Sequence, residues 1–65
     1  MKIEINTQEF TLPDGACLQQ ALELFKAQMP YAVMLNEDFI PKSSHNQQRL
    51  HEGDKVEILG AIQGG

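Results

Sequence analysis

The sequence predicts an α+β domain, a mixed sheet packed on one helix in the β-grasp arrangement. Two alternating apolar–polar segments open the chain, one stripe at helical spacing follows, and shorter alternating segments end it. A helix that follows a hairpin crosses one face of the sheet, and the preference for right-handed crossovers leaves few arrangements for the remaining strands. Residues 1–65 read as one domain, with the globule over about 1–59 and a flexible C-terminal Gly-Gly tail over about 60–65.

Lys2-Ile3-Glu4-Ile5-Asn6 alternates polar and apolar residues, as a half-buried strand does. Thr7-Gln8 supplies a short turn, and Glu9-Phe10-Thr11-Leu12 alternates again with Phe10 and Leu12 on one face, so a hairpin is the economical reading. Pro13-Asp14-Gly15 ends it, because proline removes a donor and glycine permits positive φ. From Leu18 the period changes. Leu18, Ala21, Leu22, Phe25 and Met29 form one stripe of a helix of about three turns. Ala16 and Cys17 are poor capping residues, and Pro30 supplies the stop.

Tyr31 to Leu35 is apolar almost throughout, which predicts a strand that is central or covered on both faces. Asn36-Glu37-Asp38 is turn chemistry, and Phe39-Ile40 resumes a short strand that Pro41 keeps from extending. Lys42 to Arg49 is polar and reads as a surface loop pinned down by Leu50. Glu52-Gly53-Asp54 turns the chain into the last strand, Lys55 to Leu59, with Val56 and Ile58 inward.

Composition narrows the function classes. Hydrophobic residues make up 42% and charged residues 22%, ordinary globular usage. A net charge of −4 repels phosphate backbones, which argues against nucleic acid and for a basic protein surface as partner. No apolar run reaches the roughly 20 residues of a membrane helix, and Met1-Lys2-Ile3-Glu4 lacks the plan of a signal peptide. With a single cysteine, Cys17, and so no internal disulfide, the expected localisation is cytoplasmic, with no membrane partner. A chain of about 60 residues has little depth for a closed pocket, so a carrier or binding module is favoured over a free-standing enzyme.

The catalytic inventory is thin. Cys17 lies near a helix N-terminus, which can lower a thiol pKa, yet nothing places a histidine beside it. His45 and His51 match no zinc pattern and read as solvated loop residues. Glu37-Asp38 and Glu52/Asp54 fall at turns, where acidic residues serve the backbone and solubility. Gly15 and Gly53 are turn glycines outside any phosphate-loop pattern. No catalytic and no metal-binding residue is expected.

The end of the chain is more informative. From average glycine usage, two consecutive terminal glycines arise by chance in roughly 0.5% of chains. Six extended residues beyond the last strand reach on the order of 20 Å, enough to thread a carboxylate into another protein's active site. Gly64 and Gly65 lack a Cβ and can pass a narrow tunnel, while Ile62 makes sense as a docking anchor.

The segments Val33-Met34-Leu35-Asn36-Glu37-Asp38-Phe39-Ile40-Pro41-Lys42-Ser43, Leu50-His51-Glu52-Gly53-Asp54-Lys55-Val56-Glu57-Ile58 and Ala61-Ile62-Gln63-Gly64-Gly65 resemble the ThiS family of thiamine-biosynthesis sulfur carriers, within the ubiquitin-like ThiS/MoaD group. The likeness spans essentially the whole chain. Lys42 stands where the family often has arginine, and Cys17 where it often has a capping threonine. Lys42 keeps the charge and loses the bidentate fork.

The resemblance implies a carrier and not an enzyme. An E1-like adenylyltransferase of the ThiF type would use ATP and magnesium, neither bound by this chain, to adenylate the Gly65 carboxylate. Persulfide sulfur from a cysteine desulfurase or another donor would displace AMP and leave a thiocarboxylate. A thiazole synthase of the ThiG type would accept that sulfur for the thiazole ring of thiamine. Gly65 is then the sulfur attachment point, and Gly64, Gln63 and Ile62 serve tail threading and partner recognition.

The rivals share the fold. A molybdopterin-synthase-type carrier or a ubiquitin-like modifier would use the same terminus and activation. A β-grasp interaction module would bind through its sheet face and leave the tail idle.

Overall fold

Residues 1–27 and 31–60 are described by the computed structural model, in the order β1 (Lys2–Ile5), β2 (Gln8–Thr11), α1 (Leu18–Phe25), β3 (Tyr31–Leu35), β4 (Asp38–Ile40), a short 3₁₀ turn (Lys42–Ser44) and β5 (Lys55–Gly60). The five strands form one mixed sheet in the order β2-β1-β5-β3-β4. β1 and β5 run parallel, and every other pairing is antiparallel. The last strand therefore lies at the centre, between two hairpins built by the rest of the chain.

Each hairpin closes through two consecutive residues at positive φ, Asn6 (48°) and Thr7 (70°) in one, Asn36 (50°) and Glu37 (74°) in the other. This is the turn whose twist matches paired strands, and asparagine tolerates its first position well. The first turn thus begins one residue before the expected Thr7-Gln8. Both asparagines do more than turn the chain. Asn36 Oδ1 accepts from the Lys55 amide at 3.0 Å, and its Nδ2 donates to Asp54 Oδ1 at 3.1 Å. Asn6 grips Ile58 through both amide atoms. Gly53, at φ 86°, lets the chain turn into β5, and its amide donates to the Lys2 carbonyl at 2.7 Å.

One face of the sheet holds the core. Ile3, Ile5, Val33, Leu35 and Val56 alternate inward and meet Leu18, Ala21 and Leu22 of α1, with Leu12, Ala16 and Leu50 closing the margins. Phe10 packs edge-on against Phe25 with ring centroids 5.9 Å apart. The predicted inward placement of Val56 and Ile58 holds, with Val56 buried and Ile58 packed against the cluster.

Three expectations are corrected. The helix ends at Phe25, short of the predicted stop at Pro30, because Lys26 adopts the left-handed conformation (φ 61°, ψ 43°). Lys26 N–H then bonds to the Glu23 carbonyl and Ala27 N–H to the Leu22 carbonyl, each at 3.1 Å, the pair of bonds that closes a Schellman terminus. Met29 and Pro30 lie outside the described residues. At the other end Cys17 is the N-cap, but the bond comes from Gln20, whose Oε1 accepts from the Cys17 amide at 3.0 Å.

Second, β3 is central in being flanked on both edges, by β5 and β4, but only one of its faces is covered. Val33 and Leu35 are buried, whereas Ala32 and Met34 on the opposite face are half-exposed. Third, the 42–49 segment is no solvated loop throughout. Gln19 N–H bonds to the His45 carbonyl at 3.0 Å, Leu18 N–H to Gln48 at 2.7 Å, and Leu50 N–H to Ala16 at 2.9 Å, so the segment lies across the start of α1. His45 turns inward, is only 3% exposed, and places Nε2 3.1 Å from the Ile40 carbonyl. His51 stays in solvent as expected.

The left-handed Lys26 generates a stability prediction. Lys26→Gly removes the Cβ penalty at that φ and, after the entropy of a freer unfolded chain, raises stability by about 0.5–1 kcal/mol. Urea unfolding measures it, and a loss of stability would contradict this account of the helix end.

Candidate functional site

The face of the sheet turned away from α1 is the candidate site. Strand alternation sends Lys2, Glu4, Glu9, Thr11, Lys55, Glu57 and Leu59 to it, together with Ala32, Met34 and Phe39. Register divides it in two. Glu9, Glu4 and Lys55 form a charged row across β2, β1 and β5. Glu57, Met34 and Phe39 form the next row across β5, β3 and β4, with Leu59 beside Ala32 in the row after it. Phe39 is 63% exposed and Leu59 50% exposed, large apolar side chains at the same end of one face. Met34 and Ala32 on β3 lie between them, and a contiguous exposed apolar patch marks a protein-interaction surface more often than scattered side chains do.

An open groove of about 740 Å³ follows β5 between the Asn36-Glu37 turn and the Asn6-Thr7 turn, lined also by Glu4, Lys55, Glu57 and Leu59. The apolar patch and this groove both border the strand that leads toward the Gly-Gly end. Gly65, Gly64, Gln63 and Ile62 themselves lie outside the described residues.

The other candidates take structural places. The half-buried Cys17 begins α1 and forms an isolated bridge with Arg49, whose guanidinium donates to the Gly15 carbonyl at 3.0 Å. Asp54 accepts from the His51 amide at 2.7 Å as well as from Asn36, and Glu52 accepts from the Lys2 amide at 2.9 Å. These acidic side chains fasten turns, in agreement with their reading from sequence. Gly15 and Gly53 are at positive φ, as turn glycines should be. Among the described residues no three metal-ligating side chains converge, and no helix is long and apolar enough to cross a membrane.

The sequence model of the ThiS family matches residues 2–65. The chain belongs to the ThiS family. Membership supports a sulfur-carrier role. The crystal structure of the thiamine biosynthesis protein ThiS from Geobacter metallireducens shares the fold with a TM-score of 0.80 at 22% identity, covering 100% of both chains. A solution structure of a thiamine biosynthesis protein from the same organism gives a TM-score of 0.77 at 22% identity, covering 100% of this chain and 88% of that one. Both likenesses bear on the fold, and they agree with the β-grasp architecture. The chain is also 36% identical to a thiazole synthase from Paramagnetospirillum magneticum over 66 aligned positions, which cover 100% of this chain but 20% of that protein.

The sheet-face residues were missed in the sequence. Phe39 and Leu59 are visibly out of phase with the core positions of their strands, which is a usable signal. Only the register, however, brings them to Met34 and Ala32. Because Phe39 is held by little packing, Phe39→Ser is expected to change unfolding free energy by no more than about 0.5 kcal/mol. A shift well beyond that in urea unfolding would mean that Phe39 belongs to the core.

Proposed function

We propose that this chain is a sulfur carrier for the thiazole ring of thiamine, with the Gly65 carboxylate as its reactive group. The observation that carries the reading is the family match, which runs from the first strand through the Gly-Gly end. The similarity to one-fifth of a thiazole synthase supports a thiazole synthase as the acceptor.

An α-carboxylate has a pKa of about 3.5 and is ionised at neutral pH, so it resists nucleophiles until one oxygen becomes part of a leaving group. An E1-like adenylyltransferase supplies that activation. The Gly65 carboxylate oxygen attacks the α-phosphorus of ATP, pyrophosphate leaves, and magnesium held by the enzyme screens the phosphate charge. A persulfide sulfur, from a cysteine desulfurase or another donor, attacks the acyl carbon and expels AMP. A thiol then attacks the donor-side sulfur of the resulting acyl disulfide. The thiocarboxylate leaves, and the donor's remaining sulfur and the attacking thiol end as a disulfide. ATP and magnesium belong to the partner, and this chain contributes the carried group and its recognition.

The apolar end of the sheet face is the docking surface. Met34, Phe39 and Leu59 offer the anchor, and Glu57 beside them favours a partner rim bearing lysine or arginine. The residues from Leu59 to Gly65 span at most about 23 Å, so a globule docked by this face can deliver its terminus into a recessed site.

Intact-mass analysis after incubation with an E1-like enzyme, MgATP and a persulfide source tests the chemistry. The expected result is the exchange of one oxygen for sulfur, mapped to Gly65. An unchanged mass with a demonstrably active enzyme from the same cell would replace the carrier reading with that of a sheet-face interaction module. Gly65→Ala should fold normally and release pyrophosphate poorly, because the added Cβ obstructs a narrow tunnel. Phe39→Ser should raise KM for the activating enzyme on the order of tenfold or more with kcat little changed, as expected for a lost docking anchor.

A further inference from the structure

We propose that Asn6 is a positioning residue for the carrier's terminal chemistry, fixing the line along which β5 leaves the sheet toward Gly65. The inference rests on the carrier reading above and adds a residue far from the reacting group.

β1 and β5 pair in parallel only at Glu4↔Lys55 and Ile5↔Val56. The Asn6 amide donates to the Val56 carbonyl at 3.0 Å, and then the backbone turns away at φ 48°. Without a substitute, the next β5 peptide groups on that side would lose their neighbour. The Asn6 side chain provides one. Its Oδ1 accepts from Ile58 N–H at 2.8 Å, and its Nδ2 donates to the Ile58 carbonyl at 3.2 Å. A side-chain amide thus stands in for one further peptide unit of β1. At Ile58 the central strand is held along both edges. Leu59 and Gly60 pair with β3 alone, through Ala32 and Tyr31.

The chemistry of this position is narrow. Asparagine combines tolerance of positive φ with a donor and an acceptor on a short stem. Aspartate keeps the acceptor but turns a carboxylate toward the Ile58 carbonyl. Glycine keeps the turn and loses both bonds.

Geometry explains why the grip matters for transfer. Reacting atoms must approach to about 3–3.5 Å in line. Without the Asn6 grip the end of β5 hangs on β3 alone, so the point from which the remaining residues set out is less fixed and the terminus is spread over a larger volume around the reacting position. The sheet-face anchor at Phe39 is separate from the grip, so a loosened exit leaves docking intact and lowers the fraction of docked carriers whose terminus is placed for adenylation. The signature is a fall in kcat without a change in the dissociation constant, opposite to that expected of Phe39→Ser.

The experiment compares wild type, Asn6→Gly, Asn6→Asp and Gln8→Ala with an E1-like activating enzyme. It reads pyrophosphate release, binding in the absence of ATP, and hydrogen exchange of the Ile58 amide. Asn6→Gly and Asn6→Asp should speed exchange at Ile58, bind like wild type, and lose on the order of tenfold or more in kcat. Gln8→Ala changes an exposed position of the same hairpin outside the groove and the grip, and should match wild type in all three. A folded Asn6 variant with faster Ile58 exchange and unchanged kcat would overturn the proposal, as would a loss confined to binding. If neither Asn6 variant folds, Asn6 is a folding residue and the proposal is overturned. Failure of the wild type itself to release pyrophosphate would instead remove the carrier reading, and this inference with it.

Discussion

The pairing of β5 with both hairpins is the constraint on which the rest of the structure depends. β1 takes one edge in parallel and β3 takes the other antiparallel. Without β5, β1–β2 and β3–β4 are separate two-stranded ribbons, and such ribbons are marginal in water. With it, the inward rows of Ile5, Val56 and Val33 become one surface broad enough to receive Leu18, Ala21 and Leu22. The two turn asparagines reinforce the join from opposite sides, Asn36 where β5 begins and Asn6 where its contact with β1 gives out. A single strand thus organises the core on one face and borders the exposed apolar patch on the other.

The two faces divide their tasks through alternation alone. Along β5 the inward positions Val56 and Ile58 pack against the core and the outward positions Lys55, Glu57 and Leu59 face the other side, while all five border the groove. Along β3 and β4 the same rule sets Met34 and Phe39 side by side away from the core. A chain of this size has little depth for a closed pocket, and its large exposed apolar side chains Phe39 and Leu59 lie on the sheet face away from the core. Acidic character at Glu57, together with a net charge of −4, adds electrostatic selectivity to that surface.

Much of this was legible in the sequence wherever the signal was local. The period of Leu18, Ala21, Leu22 and Phe25 gave the helix, and the alternation around Ile3, Ile5, Phe10 and Val56 gave the strands. Helix length was overestimated because periodicity continues to Met29, while the stop depends on Lys26 adopting a conformation that lysine does not advertise. His45 looked like a loop residue because its neighbours are polar, and only the fastening of that segment to Gln19 and Leu18 turns it inward. Asn6 and Asn36 could be read as strand-end and turn residues, but their hold on β5 joins distant positions that no local pattern connects. The exposed apolar patch at Met34, Phe39 and Leu59 is hidden for the same reason. The proposal for the Gly-Gly end rests on glycine chemistry and family resemblance, and Gly65 lies outside the described residues.

The distance in sequence between β1 and β5 also governs how the fold is reached. Asn6 and Ile58 are 52 positions apart, so their contact waits on closure of nearly the whole chain. The hairpins and α1 need only near neighbours and can form on much shorter timescales. High contact order slows folding, and here it is concentrated in the one strand that both ribbons require. The strand that leads toward the Gly-Gly end is thus the one whose place in the sheet requires the longest loops to close.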